Sequence, residues 1–241
     1  MQAKPAAQRL ALLAAALALL ALSGCAVWRL GQAAELVKRS EPLSQQPAKP
    51  TLRLLIVGDS TGVGTGASTP ASSLAGLIAQ RHPTWWIENR ARDGAKFADL
   101  LGQLGQLGGQ PVFDIVLIQA GANDVIRLTS MSALAHTIDQ VVAAAKQRAA
   151  HVVLMPAGNV GNAPFFFVPV SWWMTRRARV LHQSIADTAR REGAVYVRLF
   201  KEQADDPFVL QPALNASDGL HPSDAGYRVW LDALLRQTSI F

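Results

Sequence analysis

From Thr51 onward, short runs of branched aliphatic residues alternate with longer stretches of helical composition, and this alternation constrains the fold more than any other feature of the chain. The apolar runs are Leu52 to Val57, Trp85 to Glu88, Asp114 to Ala120, His151 to Met155 and Val195 to Leu199. Each is too short for a helix and carries Val, Ile or Leu on both faces, as a strand covered by helices on both sides should. The segments between and after them, 70–81, 95–107, 131–149, 171–192 and 223–238, have helix-forming composition. A repeated β-α order predicts one α/β domain over 51–241, a three-layer α/β/α arrangement around a five-stranded parallel sheet. Such sheets bind ligands in the crevice at the carboxyl ends of their strands, so functional residues belong just after strands.

Composition narrows the classes. Half of the 241 residues are hydrophobic and 17% are charged, which excludes a disordered chain. A single cysteine excludes an internal disulfide and a Cys-rich zinc site. The 23 Lys and Arg against 17 Asp and Glu are dispersed, with no interleaving of basic and aromatic residues to mark a nucleic-acid groove.

The amino terminus has a different character. Lys4 and Arg9 precede an apolar run from Leu10 to Leu22, and Ser23-Gly24-Cys25 follows. A positive start, a short apolar stretch and small residues make an export signal over 1–24. The cysteine resembles the lipidated first residue of a mature bacterial lipoprotein, which would attach the chain to a membrane through Cys25. A transmembrane anchor over 10–28 is the competing reading, since no charge interrupts that stretch. Residues 25–50 are polar and basic with three prolines near the end, and read as a tether. Without the leader the balance falls to 21 basic against 17 acidic residues, an ordinary surface.

After the first strand runs Gly58-Asp59-Ser60-Thr61-Gly62-Val63-Gly64-Thr65-Gly66-Ala67. Gly62, Gly64 and Ala67 fit a dinucleotide-binding fingerprint, with Glu88 in place for a ribose, but Asp59 would stand beside the pyrophosphate. A phosphate-binding loop of the Lys-Ser/Thr kind is absent. The alternative makes Ser60 a nucleophile at a strand end, beside a helix amino terminus able to receive an oxyanion. A serine hydroxyl then needs a base and an orienting acid. Asp218-Gly219-Leu220-His221 near the carboxyl terminus supplies both: a carboxylate three residues before a histidine can hold Nδ1 and leave Nε2 for the serine. After the second strand Gly94 offers an N–H without a side chain in the way, and after the third Asn123, in Gly121-Ala122-Asn123-Asp124, offers a side-chain amide.

Ser, Gly, Asn and His in this order resemble the SGNH family of GDSL-type hydrolases, within it the thioesterase I, lysophospholipase and arylesterase group, over nearly all of 52–238. The resemblance implies Ser60 as nucleophile, His221 as base and then acid, and Asp218 as its partner. It further implies an oxyanion hole of the Ser60 N–H, the Gly94 N–H and the Asn123 amide, with Asp59 and Asp124 holding the loops. Thr61 stands where the family often has Leu. The activity implied is ester, aryl ester or thioester hydrolysis through an acyl-serine at the cell envelope, with no metal or organic cofactor. An O-acetyl esterase of envelope polysaccharide or peptidoglycan, and a non-catalytic binding module of the same fold, are the alternatives.

Phe165, Phe166, Phe167, Trp172 and Trp173 cluster around the start of the fourth helical segment. They are expected as an apolar wall for the acyl part of the substrate, or as a membrane interface given Arg176, Arg177 and Arg179 beyond them; core packing is the plainer reading. His82, His136, His151 and His182 have no ligand spacing and read as structural.

Overall fold

The computed structural model describes residues 4–105 and 113–241. Five parallel strands form one sheet: β1 (Leu52–Gly58), β2 (Trp85–Asn89), β3 (Phe113–Gln119), β4 (Ala149–Leu154) and β5 (Val195–Tyr196), ordered β2-β1-β3-β4-β5. The helices are α1 (Lys4–Arg39), α2 (Ser60–Val63), α3 (Leu74–Arg81), α4 (Leu100–Leu104), α5 (Ala122–Ile126), α6 (Met131–Lys146), α7 (Val170–Glu192), α8 (Pro207–Leu210) and α9 (Asp224–Gln237). The expected parallel three-layer arrangement is therefore the observed one. The strand order steps outward in opposite directions from β1, through β2 on one side and β3 on the other, and this reversal opens a crevice above the end of β1.

Both faces of the central strands are buried. In β3, Val116 and Ile118 pack with α6 and α7, whereas Ile115 and Leu117 pack with α3 and α9, all four at 0–1% exposure. Burying an aliphatic side chain of this size contributes about 1.5–3 kcal/mol, so the central strands are the most strongly held part of the sheet.

Three expected elements differ. The helical segment 70–81 breaks into a single 3-10 turn and α3, because the Ser73 side chain accepts the Gly76 N–H (3.1 Å) and starts a new helix. Segment 95–107 likewise becomes a 3-10 turn at Phe97–Asp99 followed by α4, with the Asp99 carboxylate taking the Lys96 N–H (2.8 Å); its residues 106 and 107 lie outside the described ones. The fifth strand stops at Tyr196 instead of Leu199, since it has only the end of β4 to pair with: Tyr196 faces Leu154, the last residue of that strand.

The amino-terminal segment is more structured than a tether. Its residues 25–39 are helical, Leu43 packs on the α3/α9 side of the core, and Gln45 pairs with Ile87 through two backbone hydrogen bonds of 2.8 Å. The Gln45 amide also donates to the Trp85 carbonyl (2.8 Å), and the Asn89 N–H donates to the Ser44 hydroxyl (3.1 Å). This stretch is held because β2 has an unpaired side and polar residues reach its backbone groups. Cys25 lies on α1, its side chain outside the described ones. Among the described residues, no helix is long and apolar enough to cross a membrane.

Candidate active site

The chain leaves β1 at a point of very close strand approach. A Cβ on Gly58 would sit 2.0 Å from the Gln119 carbonyl of β3, so only glycine fits. The Gln103 side chain, from α4, grips this residue on both sides: its carbonyl accepts the Gly58 N–H (2.7 Å) and its amide donates to the Gly58 carbonyl (2.9 Å). Asp59 then caps α2, accepting the Thr61 N–H (2.9 Å) and the Thr61 hydroxyl (2.8 Å). An acid therefore occupies the helix start, where a dinucleotide fingerprint would need room for a pyrophosphate. Burial pushes the Asp59 carboxyl up to about 6, against the opposing pull of its two bonds from Thr61. Thr61, at the position where the resembled family often has Leu, supplies a hydroxyl that this carboxylate uses.

Ser60 follows with its hydroxyl 2.8 Å from His221 Nε2, and His221 Nδ1 lies 2.6 Å from Asp218 Oδ2. The three groups are nearly sealed from water, at 8%, 7% and 0% exposure. Residues 60 and 221 come together from 161 positions apart because the turn preceding α9 folds back above β1. Within that turn Asp218 Oδ1 accepts the N–H groups of Leu220 (2.9 Å) and His221 (3.1 Å), and the His221 carbonyl accepts the Ala216 N–H (2.8 Å). Burial alone would raise the Asp218 carboxyl. The bond and charge of His221, with the two N–H groups, outweigh it and hold the carboxyl below the usual range. An ionised carboxylate on Nδ1–H fixes the tautomer that leaves Nε2 free to accept the serine proton.

Ser60, Gly94, Asn123 and His221 line one cavity of about 570 Å³. The Ser60 and Gly94 N–H groups and the Asn123 amide have no protein acceptor among the described residues. Asp124 ties two of the loops together by accepting the Phe97 N–H (2.9 Å), just beyond Gly94; burial pushes its carboxyl up against that bond. Gly94 adopts φ +75°, a left-handed conformation that favours glycine, and a Cβ there would also push on the end of the Arg127 side chain at 2.9 Å.

Several positioning residues carry no motif. Asn89 donates to the Gly62 carbonyl (2.8 Å) and accepts the Ala91 N–H (3.1 Å), joining α2 to the loop that bears Gly94. Arg177 of α7 donates to the carbonyls of Val125 (3.1 Å), Asp124 (3.3 Å) and Thr129 (2.6 Å), clamping the loop that carries Asn123. Tyr227 of α9 donates to the Thr65 carbonyl (2.8 Å). His182 is buried between the Tyr196 hydroxyl (2.7 Å) and the Ala157 carbonyl (2.8 Å), and burial lowers its pKa to about 4. It is a neutral strut under the cavity wall, as expected of a structural histidine. The signal for these residues is weak because the bonds that tie the loops together join segments distant in sequence.

The aromatic wall is not where the sequence suggested. None of Phe165, Phe166, Phe167, Trp172 and Trp173 lines the cavity. Phe166 packs against the α6/α7 side of the core with Phe165 edge-on to it, 5.0 Å between ring centres. Phe167, Trp172 and Trp173 are turned out to solvent at 39%, 66% and 48% exposure. The start of the segment is pinned to the histidine loop, the Phe165 N–H donating to the Gly219 carbonyl (3.0 Å). The apolar lining includes Val160, Leu199, Pro222, Val229 and Ala233, and its aromatic part comes from Phe208 and Trp230. Among the described residues no three His, Cys, Asp or Glu side chains gather as metal ligands.

A family model described as the GDSL-like Lipase/Acylhydrolase family matches residues 56–229. No curated protein matches. Among solved structures, a member of the lipolytic protein G-D-S-L family from Veillonella parvula is 12% identical with a TM-score of 0.64, covering 78% of this chain and 99% of its own. TesA is 20% identical with a TM-score of 0.60, covering 78% and 98%. An acetyl-xylooligosaccharide esterase from Geobacillus is 21% identical with a TM-score of 0.59, covering 81% and 98%. At these identities the likeness is one of fold.

Proposed function

We propose that this chain, which belongs to the GDSL-like lipase/acylhydrolase family and is an ester-hydrolysing enzyme, works through an acyl-serine at Ser60 on esters or thioesters with an apolar acyl group. The observation that carries the reading is the unbroken hydrogen-bonded line from Asp218 through His221 to Ser60, at 2.6 and 2.8 Å. In this mechanism His221 Nε2 takes the Ser60 proton as Oγ bonds to the substrate carbonyl carbon. The carbonyl oxygen becomes an oxyanion and receives the Ser60 N–H, the Gly94 N–H and the Asn123 amide, three donors with no competing acceptor among the described residues. The intermediate collapses, the bond to the leaving alcohol or thiol breaks, and His221 returns the proton to it. Water then repeats the sequence on the acyl-serine and releases the acid. Asp218 stays ionised throughout and stabilises the imidazolium.

The apolar flank of Val160, Leu199, Pro222, Val229 and Ala233 favours an acyl chain or aromatic group over an acetylated sugar. The leader, with its apolar run and Cys25, supports attachment at the cell envelope. Ser60→Ala is expected to abolish both hydrolysis of a soluble aryl ester and labelling by a fluorophosphonate, with the melting temperature kept. Retained turnover in that variant refutes the assignment of the nucleophile, and a wild-type chain that neither hydrolyses nor labels would make it a binding module.

A further inference from the structure

The segment expected to wall the cavity instead forms an outward apolar surface beside it. Between Ala163, which lines the cavity, and Met174, which is buried in the core, the chain exposes Phe167, Val168, Val170, Trp172 and Trp173, the last four at 45–66%. Monomeric proteins seldom keep so many adjacent large apolar side chains in water, and an interaction surface is the usual reason. Two tryptophans on the first turn of a helix, with Arg176 exposed one turn on, have the composition of a lipid interface, where amphipathic rings sit at headgroup depth and cations meet anionic lipid.

The amino-terminal helix fixes which occupant this is. Arg29 of α1 places its guanidinium over the Phe167 ring, 4.9 Å from its centre, and donates to the Pro164 carbonyl. Val37, two turns on, lines the catalytic cavity. The same helix carries, toward its start, the apolar run from Leu10 to Leu22. Cys25, where the lipoprotein reading puts the lipid, stands four residues before Arg29 on this helix, so a membrane that holds the chain there lies beside the Phe167 to Trp173 surface and beside the cavity mouth.

The surface is also rigidly coupled to the chemistry. Arg177, one turn after Trp173 and stacked 5.9 Å from its ring, is the residue that holds the Asn123 loop by three carbonyls. Phe165 is tied to Gly219, two residues before His221. Any plane that seats the two tryptophans therefore sets the height of Ser60 above it.

We propose that Phe167, Val168, Val170, Trp172 and Trp173 form a bilayer-contacting platform that holds the cavity mouth at the lipid surface, so that the enzyme draws its ester from the membrane. This rests on the acyl-serine reading above and adds the physical state of the substrate. The test uses the full chain reconstituted in phosphatidylcholine vesicles containing phosphatidylglycerol, comparing wild type with the double variant Trp172→Ser, Trp173→Ser. Three fluorogenic substrates are supplied: a water-soluble acetate ester, a long-chain ester dissolved in the bilayer, and the same long-chain ester delivered on albumin without lipid substrate. The expected result is a loss of about tenfold on the bilayer ester alone, with the other two rates within about twofold of wild type. Equal loss on both long-chain arms would make the tryptophans a chain-binding element and overturn the proposal, as would no loss on any arm. Loss on all three would show damage to the fold or site, and the milder Val168→Ser, expected to show a smaller loss confined to the bilayer arm, would then decide. Wild-type failure on the soluble ester would refute the esterase mechanism instead.

Discussion

Replacing Asp218 by Asn separates the two jobs its carboxylate performs. One oxygen accepts His221 Nδ1–H at 2.6 Å, and the other accepts two backbone N–H groups at 2.9 and 3.1 Å. An amide has only one accepting oxygen. If that oxygen stays on the two N–H groups, the NH2 faces Nδ1, the imidazole must carry its proton on Nε2, and the ring donates to Ser60 when it should accept. The rate constant kcat then falls by roughly four orders of magnitude, the scale known for the wrong tautomer in a serine triad, or about 5 kcal/mol of barrier. If the amide flips, the tautomer survives but two buried N–H groups face an NH2, at about 1–3 kcal/mol of stability each. Two bonds outweigh one, so the first arrangement is expected: kcat on a soluble aryl ester about ten-thousandfold down, with the thermal midpoint nearly unchanged. Asp218→Ala should lose both activity and stability. A variant Asp218→Asn with both kcat and midpoint close to wild type would refute the idea that this carboxylate orients the base.

Two further outcomes follow from the strand end and its cap. Because burial raises the Asp59 carboxyl from 3.8 to about 6, the folded state favours its protonated form; the stability this adds is complete below 3.8 and is lost as pH rises through about 6, a change of order 3 kcal/mol. Asp59→Asn should therefore flatten the dependence of unfolding free energy on pH across that window, measured by denaturant titration, and an unaltered slope would refute the assignment. Gly58→Ala places a methyl 2.0 Å from the Gln119 carbonyl. It must part β1 from β3, so soluble folded protein should be lost or the midpoint lowered by well over about 2 kcal/mol equivalent; a normal melt would show that the approach is looser than described.

What the sequence made legible was local. The strands stood out because apolar residues on both faces leave few alternatives, and Asp218-x-x-His221 was readable because its geometry lies within one turn. Ser60 and His221 could be paired only through chemical need, since nothing in the spacing of 161 residues says that they meet. Gln103, Asn89 and Arg177 were not legible for the same reason: their long-range bonds, from Gln103 to Gly58, Asn89 to Gly62 and Arg177 to Asp124, span 27 to 53 residues and end on backbone groups, which carry no side-chain signature. The aromatic segment misled because composition reports apolarity without direction. Phe166 turned inward and Trp172 outward from the same run.

The short pairing of Gln45 with Ile87 reaches beyond local order. β2 is an outer strand of the sheet, and its free N–H and carbonyl groups are a template on which a second copy could add a strand. The chain ahead of the domain thus works as a stopper, two hydrogen bonds of 2.8 Å closing the place where neighbouring copies would otherwise zip together. A fragment trimmed at Thr51, where the sequence pattern invites a cut, would keep every catalytic group and yet expose that template. Its weakness would be self-association during folding, and leaving residues 43–50 in place is the remedy.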